Sequence, residues 1–494
     1  MKEKSTTPVR SASADQVHQS LRNLLVRQKN ACDWLGLRAY REQSTFLGVK
    51  NEKFDHQREQ VENGVMVEVI CDGHFGYAAT QDLSDAGLDR AFTQALALAR
   101  SFASRALHRF SFSEVRPKAQ GSYRSPGKIT MDQLGFAEAS ERLTKASLAM
   151  KVSDEVIHRM ARLILVETSI QLVSSSGTEV DQEFKMLMTD FNAAAKRGSE
   201  VQVRSDQGGL ARCYQSGMED LQLDNILPRC YKVGVEAVSL LSAEDCPSGK
   251  FDVILAPDQM MLQIHESIGH PLELDRILGD ERNFAGWSFV GLEDFGVLQY
   301  GSPLMNVTYD PTQHQELASF SFDDGGQRAT SEFLIKEGKL VRGLGGLESQ
   351  ARSHKPGVAN FRSASWNRAP IDRMGNINLL PGSSSLPEMV KSIERGVMMY
   401  SNKSWSIDDY RRKFQFSCEY GEFIENGKVT KVVKNPNYRG ETLGFWRSLA
   451  AVGDKIETYG SPYCGKGEPS QIIRVGHSAP HCLFRNLEVF GGGK

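Results

Sequence analysis

The sequence predicts an α+β chain. An N-terminal α/β domain of two similar helix–antiparallel-sheet–helix halves precedes a β-rich C-terminal domain that carries a short helix. Three observations predict it. At 494 residues the chain is too long for one ordinary core. Between residues 17 and 243, strand-like runs are twice bracketed by helical patterns. From Cys246-Pro247-Ser248-Gly249 onward, short strands and Gly/Pro turns dominate. The expected division is a disordered tail over 1–16, the α/β domain over 17–245 and the β-rich domain over 246–494.

The spacing of VHQSLRNLLVRQKNACDWL (17–35) predicts an amphipathic helix. Strand-like runs follow in RAYREQSTFLGV, EKFDHQREQV, VMVEVICD and FGYAAT, with Asn63-Gly64 as the expected turn between the second and third. The next helix is LSDAGLDRAFTQALALARSFA (83–103), capped by Ser84 or Asp85. RPKAQGSYRSPGK (116–128) has the composition of a link. The plan then repeats: a helix in MDQLGFAEASERLTKASLAM, strands in HRMARLILVETSIQLVSSSG, EVDQEFKMLMTDFNAAA and EVQVRSD, and a helix over 225–243 broken near Pro228. Beyond 245, the strand FDVILA feeds the helix that bears His265. Hairpins are marked at Glu337-Gly338 and Asn426-Gly427, and PEMVKSIERGVMMYS (387–401) reads as a further helix.

Composition excludes some functions. Basic and acidic residues balance, 59 against 61, which leaves no electrostatic footprint for direct nucleic-acid binding. No run of 18 apolar residues and no signal-peptide layout is present, so the expectation is a soluble, cytoplasmic chain with no membrane partner. Eight scattered cysteines without CxxC pairs suit a reducing compartment.

The chemistry concentrates in APDQMMLQIHESIGHPLEL (256–274). Met261, Ile264 and Ile268 give a helix an apolar back, and Pro257 suits its start. His265, Glu266 and His270 are the residue types that hold an ion and activate water beside a carboxylate. In H-E-x-x-H the histidines lie four apart, about 40° from each other around the helix. Here they are five apart, about 140°. They share one ion only where the helix widens into a π-type turn or unwinds, and Gly269 and Pro271 supply the means. Glu273 fits either a contact to His270 or a surface carboxylate.

A catalytic zinc takes a third protein ligand. Downstream candidates are His314, His354, Cys418, Cys464, His477, His481 and Cys482. HSAPHC (477–482) is compact, but Pro480 and its apolar neighbours fit the start of a strand equally well, and it reads as a decoy. Cys464 sits in the glycine-rich YGSPYCGKGEPSQ, a loop where a thiolate could be held exposed. Asp323-Asp324 before Gly325-Gly326 reads as a turn, and NFRSASWNRAP (360–370) as loop packing in preference to a peptide-binding stretch.

HESIGHPLE, FIENGKVTK and CGKGEPSQ, in this order and spacing, resemble the TldD/PmbA family of peptidases, long called modulators of DNA gyrase. The resemblance extends to VMVEVICDGHFGYAATQDLS and covers nearly the whole chain. It implies a zinc (Zn2+) metallopeptidase of the TldD-like catalytic kind, with His265, His270 and Cys464 as ligands and Glu266 as the base. It implies cleavage of short or unfolded peptides in a dimer, formed with a second copy or a paralogous subunit, whose subunits enclose the site. The family loop often reads CGK-x-GQ, whereas here the glutamine comes later. Two other classes compete: a non-catalytic partner subunit, against which the intact His265, Glu266, His270 and Cys464 argue, and a regulatory protein acting on a topoisomerase, which the charge balance does not support.

Overall fold

Long antiparallel ladders form wherever β-branched and aromatic residues alternate over many positions, and two such ladders organise this chain. The computed structural model describes residues 14–209, 211–283 and 286–492; the expected tail lies outside these up to residue 13. The first sheet has eight strands: β1 (Trp34–Lys50), β2 (Lys53–Cys71), β3 (His74–Thr80), β4 (Gln120–Arg124), β5 (Val156–Ser174), β6 (Glu179–Arg197), β7 (Glu200–Ser205) and β8 (Arg212–Tyr214). Their order is β3-β2-β1-β5-β6-β4, with β7 and β8 also on β6. Helices Ala14–Arg27 and Asp85–Phe102 pack against one half through Leu21, Leu24, Leu88 and Phe92. Helices Phe136–Ala149 and Leu223–Leu240 pack against the other through Leu143, Ala146, Ile226 and Val233. The repeated helix–sheet–helix plan is therefore present, joined into one sheet by the β1–β5 ladder. Ser84 caps its helix as expected, accepting from Gly87 N.

Several element boundaries differ from expectation. The first helix stops at Arg27, because Trp34 and Leu35 pair with Ile70 and Val69 and begin β1. Asn63-Gly64 is no turn. β2 runs straight through it, Gly64 facing Tyr40, and the hairpin turns instead at Asn51-Glu52, both at positive φ. Gly64 is there for space: a Cβ would lie 2.3 Å from the Trp366 ring. Part of the 116–128 link is β4, paired in parallel with β6. Gly135, at φ 85°, splits the 131–150 helix in two. The helix over Pro228 continues unbroken; Asp224 and Pro228 both face water, so the carbonyl without an intrahelical donor is solvated.

The second sheet begins at Glu244–Asp245 and closes on itself. Strands Arg395–Ile407, Gly249–Leu255, Gln471–Phe490, Asn437–Glu441 and Lys413–Glu425 pair in that order, and the last pairs back to the first. Phe251, Val253, Phe416, Tyr438 and Phe484 fill its core. The hairpins at Glu337-Gly338 and Asn426-Gly427 form with both turn residues at positive φ. The 387–401 helix does not: it covers Leu386–Lys391 only, and Val397-Met398-Met399 run as a buried parallel strand beside Gly249–Leu255. A four-stranded sheet containing Val307–Tyr309 and Ile377–Leu379 lies against the long C-terminal strand.

Candidate metal centre

The strand Gly249–Leu255 delivers the chain to a helix over Pro257–Ile264, with Pro257 at its first turn. Every residue from Pro257 to Leu272 is buried, so this helix has no solvent face at all. At His265–Gly269 the helix widens into a π turn, and His270 N donates to His265 O, five residues back. A single turn of 3-10 helix, His270–Leu272, follows. Five residues then make about one full turn, which brings His265 and His270 onto one side. Their ring centroids are 4.9 Å apart and nearly perpendicular.

The widened turn has identifiable support. Pro271 has no N–H to give the Ser267 carbonyl, and the buried Tyr300 hydroxyl donates to it instead at 2.5 Å. Trp446 Nε1 donates to Ser267 Oγ at 2.9 Å. Gly269 has ordinary helical angles (φ −56°), so its small size is what counts: a Cβ would lie 2.0 Å from Met374 Sδ.

Cys464 arrives from a different direction. It lies in the long strand Leu449–Lys466, not in the loop beyond it, and is 1% exposed, contrary to the expected exposed thiolate. The register slips by one residue between Ser461 and Cys464, a bulge containing Pro462. Such a bulge re-aims the following side chain. The donor atoms of His265, His270 and Cys464 lie within 4.8 Å of one another. These three residues would hold one ion of the kind that takes nitrogen and sulfur ligands.

The profile of the PmbA/TldA metallopeptidase C-terminal domain matches residues 248–491, and that of domain 1 of the same family matches 36–99. The chain belongs to the PmbA/TldD metallopeptidase family. A metalloprotease of Methanothermobacter thermautotrophicus is 26% identical over 95% of this chain and 98% of its own length. A metalloprotease TldD homolog of Haemophilus influenzae is 26% identical over 85% of each chain. Two solved structures share the fold. A proposed DNA gyrase modulator of Thermotoga maritima has a TM-score of 0.76 at 19% identity, covering 96% of this chain and all of its own. TldE of Thermococcus kodakarensis has 0.73 at 16%, with the same coverage. No helix among the described residues is long and apolar enough to cross a membrane.

Around this family member's triad the electrostatics are specific. Burial lowers the pKa of both His265 and His270, favouring the neutral imidazoles a metal requires. Burial alone would raise the Cys464 thiol, but its hydrogen bond with His270 and the nearby Arg373 outweigh it, and the thiol is lowered. Arg373 is fully buried and donates to the Cys464 carbonyl at 2.5 Å. Glu266 lies beside the triad with its carboxylate bonded at 2.5 Å by Arg411, from the loop at the tip of the 395–425 hairpin.

Glu273 is fully buried and accepts from His270 Nδ1 at 3.0 Å, so of the two alternatives the fold adopts the contact to His270. Its other oxygen is 3.3 Å from Lys466 Nζ, and Lys466 donates to both Asp275 oxygens. His477, within the stretch read as a decoy, bonds His265 Nδ1 at 2.9 Å. It is not part of the triad, but it touches it. His481 and Cys482 lie elsewhere on the strand; burial pushes the Cys482 thiol well up, as befits an inert buried cysteine. The 360–370 stretch is loop packing: Arg362 donates to the Met374 and Arg474 carbonyls, and Gln471, the displaced glutamine of the loop, bonds Ala364 and Ala369. Asp323 forms the expected turn, accepting from Gly325 and Gln327. Arg411, Arg373 and Lys466 escaped sequence reasoning. Only Lys466, two residues after Cys464, offered a local signal.

Proposed function

We propose that this chain is a zinc-dependent peptidase acting on short or unfolded peptides, with His265, His270 and Cys464 holding the ion and Glu266 serving as general base. The observation that carries the reading is the meeting of two imidazoles and a lowered thiol, from sequence positions nearly 200 apart, beside a buried carboxylate. A borderline-soft ion suits this N,N,S donor set, and bound there it would supply Lewis-acid activation of water and of the scissile carbonyl. Glu266 takes a proton from the attacking water and passes it to the leaving amine. Arg411 bonds Oε2, so Oε1 is the oxygen to take that proton. Arg411 is also the cation at hand for negative charge building on the carbonyl oxygen.

The burial of the centre favours extended backbone over folded protein as substrate. The likeness to TldE of Thermococcus kodakarensis supports assembly with a paralogous subunit or a second copy. Eight unpaired cysteines support a cytoplasmic setting. The test is Glu266→Gln in the full chain. Zinc content by mass spectrometry is expected to stay at the wild-type level while peptide hydrolysis falls by at least ~100-fold. Undiminished hydrolysis would remove Glu266 as the base.

A further inference from the structure

His477 lies midway along the strand Gln471–Phe490 and is fully buried. Its ring meets two groups. Nδ1 is 3.1 Å from the Ile377 carbonyl oxygen, and Nε2 is 2.9 Å from His265 Nδ1. A carbonyl oxygen only accepts, so Nδ1 of His477 carries the proton. A doubly protonated ring would be a buried cation with no carboxylate bonded to it among the described residues, a costly state. The neutral ring therefore presents a bare Nε2. The bond between the histidines then has one direction: His265 Nδ1–H donates to His477 Nε2. That leaves His265 with its lone pair on Nε2.

We propose that His477 is a positioning residue for the metal centre: it fixes the tautomer and ring plane of His265, so that Nε2 faces the ion. The inference rests on the reading of His265 as a ligand. Three elements build it in series. The Ile377 carbonyl is held by the pairing of Ile377–Leu379 with Val307–Tyr309, the hairpin strand supplies His477, and the π turn supplies His265. His270 is oriented in the same sense by a different group, since its Nδ1 faces Glu273. One ligand is thus held by a neutral acceptor and the other by an anionic one. An ordinary satisfied core histidine at 477 would be indifferent to metal, and that is what separates the two roles.

The test uses the full chain, stripped of metal and titrated with zinc against a chromophoric chelator. His477→Leu keeps bulk but offers no acceptor, and zinc affinity is expected to fall ~10–100-fold. His477→Gln, whose amide oxygen accepts and whose NH2 donates, is expected to recover most of that loss. A wild type that binds zinc while His477→Leu binds it equally well overturns the proposal alone; a wild type that takes up no zinc overturns the metal reading beneath it. Should His477→Leu fail to fold, nitrogen NMR of the metal-free wild type with labelled histidine decides. His477 and His265 are both expected as Nδ1–H tautomers, with His477 assigned by its loss in His477→Gln. An Nε2–H tautomer at His477 sinks the proposal whatever the variants do.

Discussion

Glu273 answers to three partners at once. One oxygen accepts from His270 Nδ1 and Arg276 Nε, and the other faces the buried ammonium of Lys466. Burial opposes its charge, but Lys466 and His270 overcome this and hold the carboxyl well below the usual range. Glu273→Gln keeps the shape and removes the charge. Zinc affinity, read by chelator competition, is expected to drop ~10–100-fold, because His270 loses an anionic acceptor; an unchanged affinity would mean the contact is incidental. Glu316 shows the opposite balance. It is fully buried, one oxygen accepts from Asn378 and the other has no hydrogen-bond partner among the described residues, and burial pushes its pKa up to about 8. The fold thus prefers the protonated form. Its stabilisation is complete below the ordinary value of 4.5 and is lost as pH rises through about 8. The melting temperature of wild type is expected to fall from pH 5 to pH 9, and Glu316→Gln to flatten that slope, an effect on the order of a few kcal/mol. Parallel slopes would show that Glu316 ionises freely. Local spacing put His265, Glu266 and His270 forward as a candidate cluster, and the family resemblance implied their roles. The sequence could not place His477, whose partner is 212 residues away, because a buried strand histidine carries no periodic mark.

At the scale of elements, the five-residue histidine spacing was informative because a regular helix forbids a shared ion, so the π turn could be anticipated. Its packing could not. Gly269 is forced by Met374, a contact across more than a hundred residues. Gly269→Ala is expected to cost ~1–3 kcal/mol in stability and to weaken zinc binding by displacing His270. Adding Met374→Ala opens the space the new methyl group needs. The double variant is therefore expected to regain part of both losses in thermal melts and zinc titrations, and strict additivity would contradict the contact. The same blindness to remote neighbours explains Asn63-Gly64, where a turn-forming pair serves instead as the landing site for Trp366. In 387–401, Val397, Met398 and Met399 are apolar in succession, and such a run does not distinguish a buried helix from a buried parallel strand.

At the scale of the molecule, the first sheet is tied to the chain beyond residue 245 by ion pairs that a sequence cannot pair up. Glu42 of β1 takes both Nη atoms of Arg474 at 2.8 Å, Arg204 of β7 meets Glu419, and Arg38 of β1 meets Asp324 at 2.8 Å. The last pair has side chains only 6% and 7% exposed. A buried pair adds little net stability over an apolar replacement, yet removing one partner leaves a charge stranded at a cost of ~3–5 kcal/mol. Asp324→Ala is therefore expected to lower the melting temperature well below that of Arg38→Met/Asp324→Leu, in which neither charge remains. Because these pairs cross from the first sheet to the chain beyond residue 245, wild type is expected to unfold in one calorimetric transition. The Asp324→Ala change should shift that transition whole, carrying the metal centre with the first sheet, since Arg474 sits three residues from His477 on the same strand. Two resolved transitions in wild type would mean that the sheets fold independently and that the ion pairs only register one against the other.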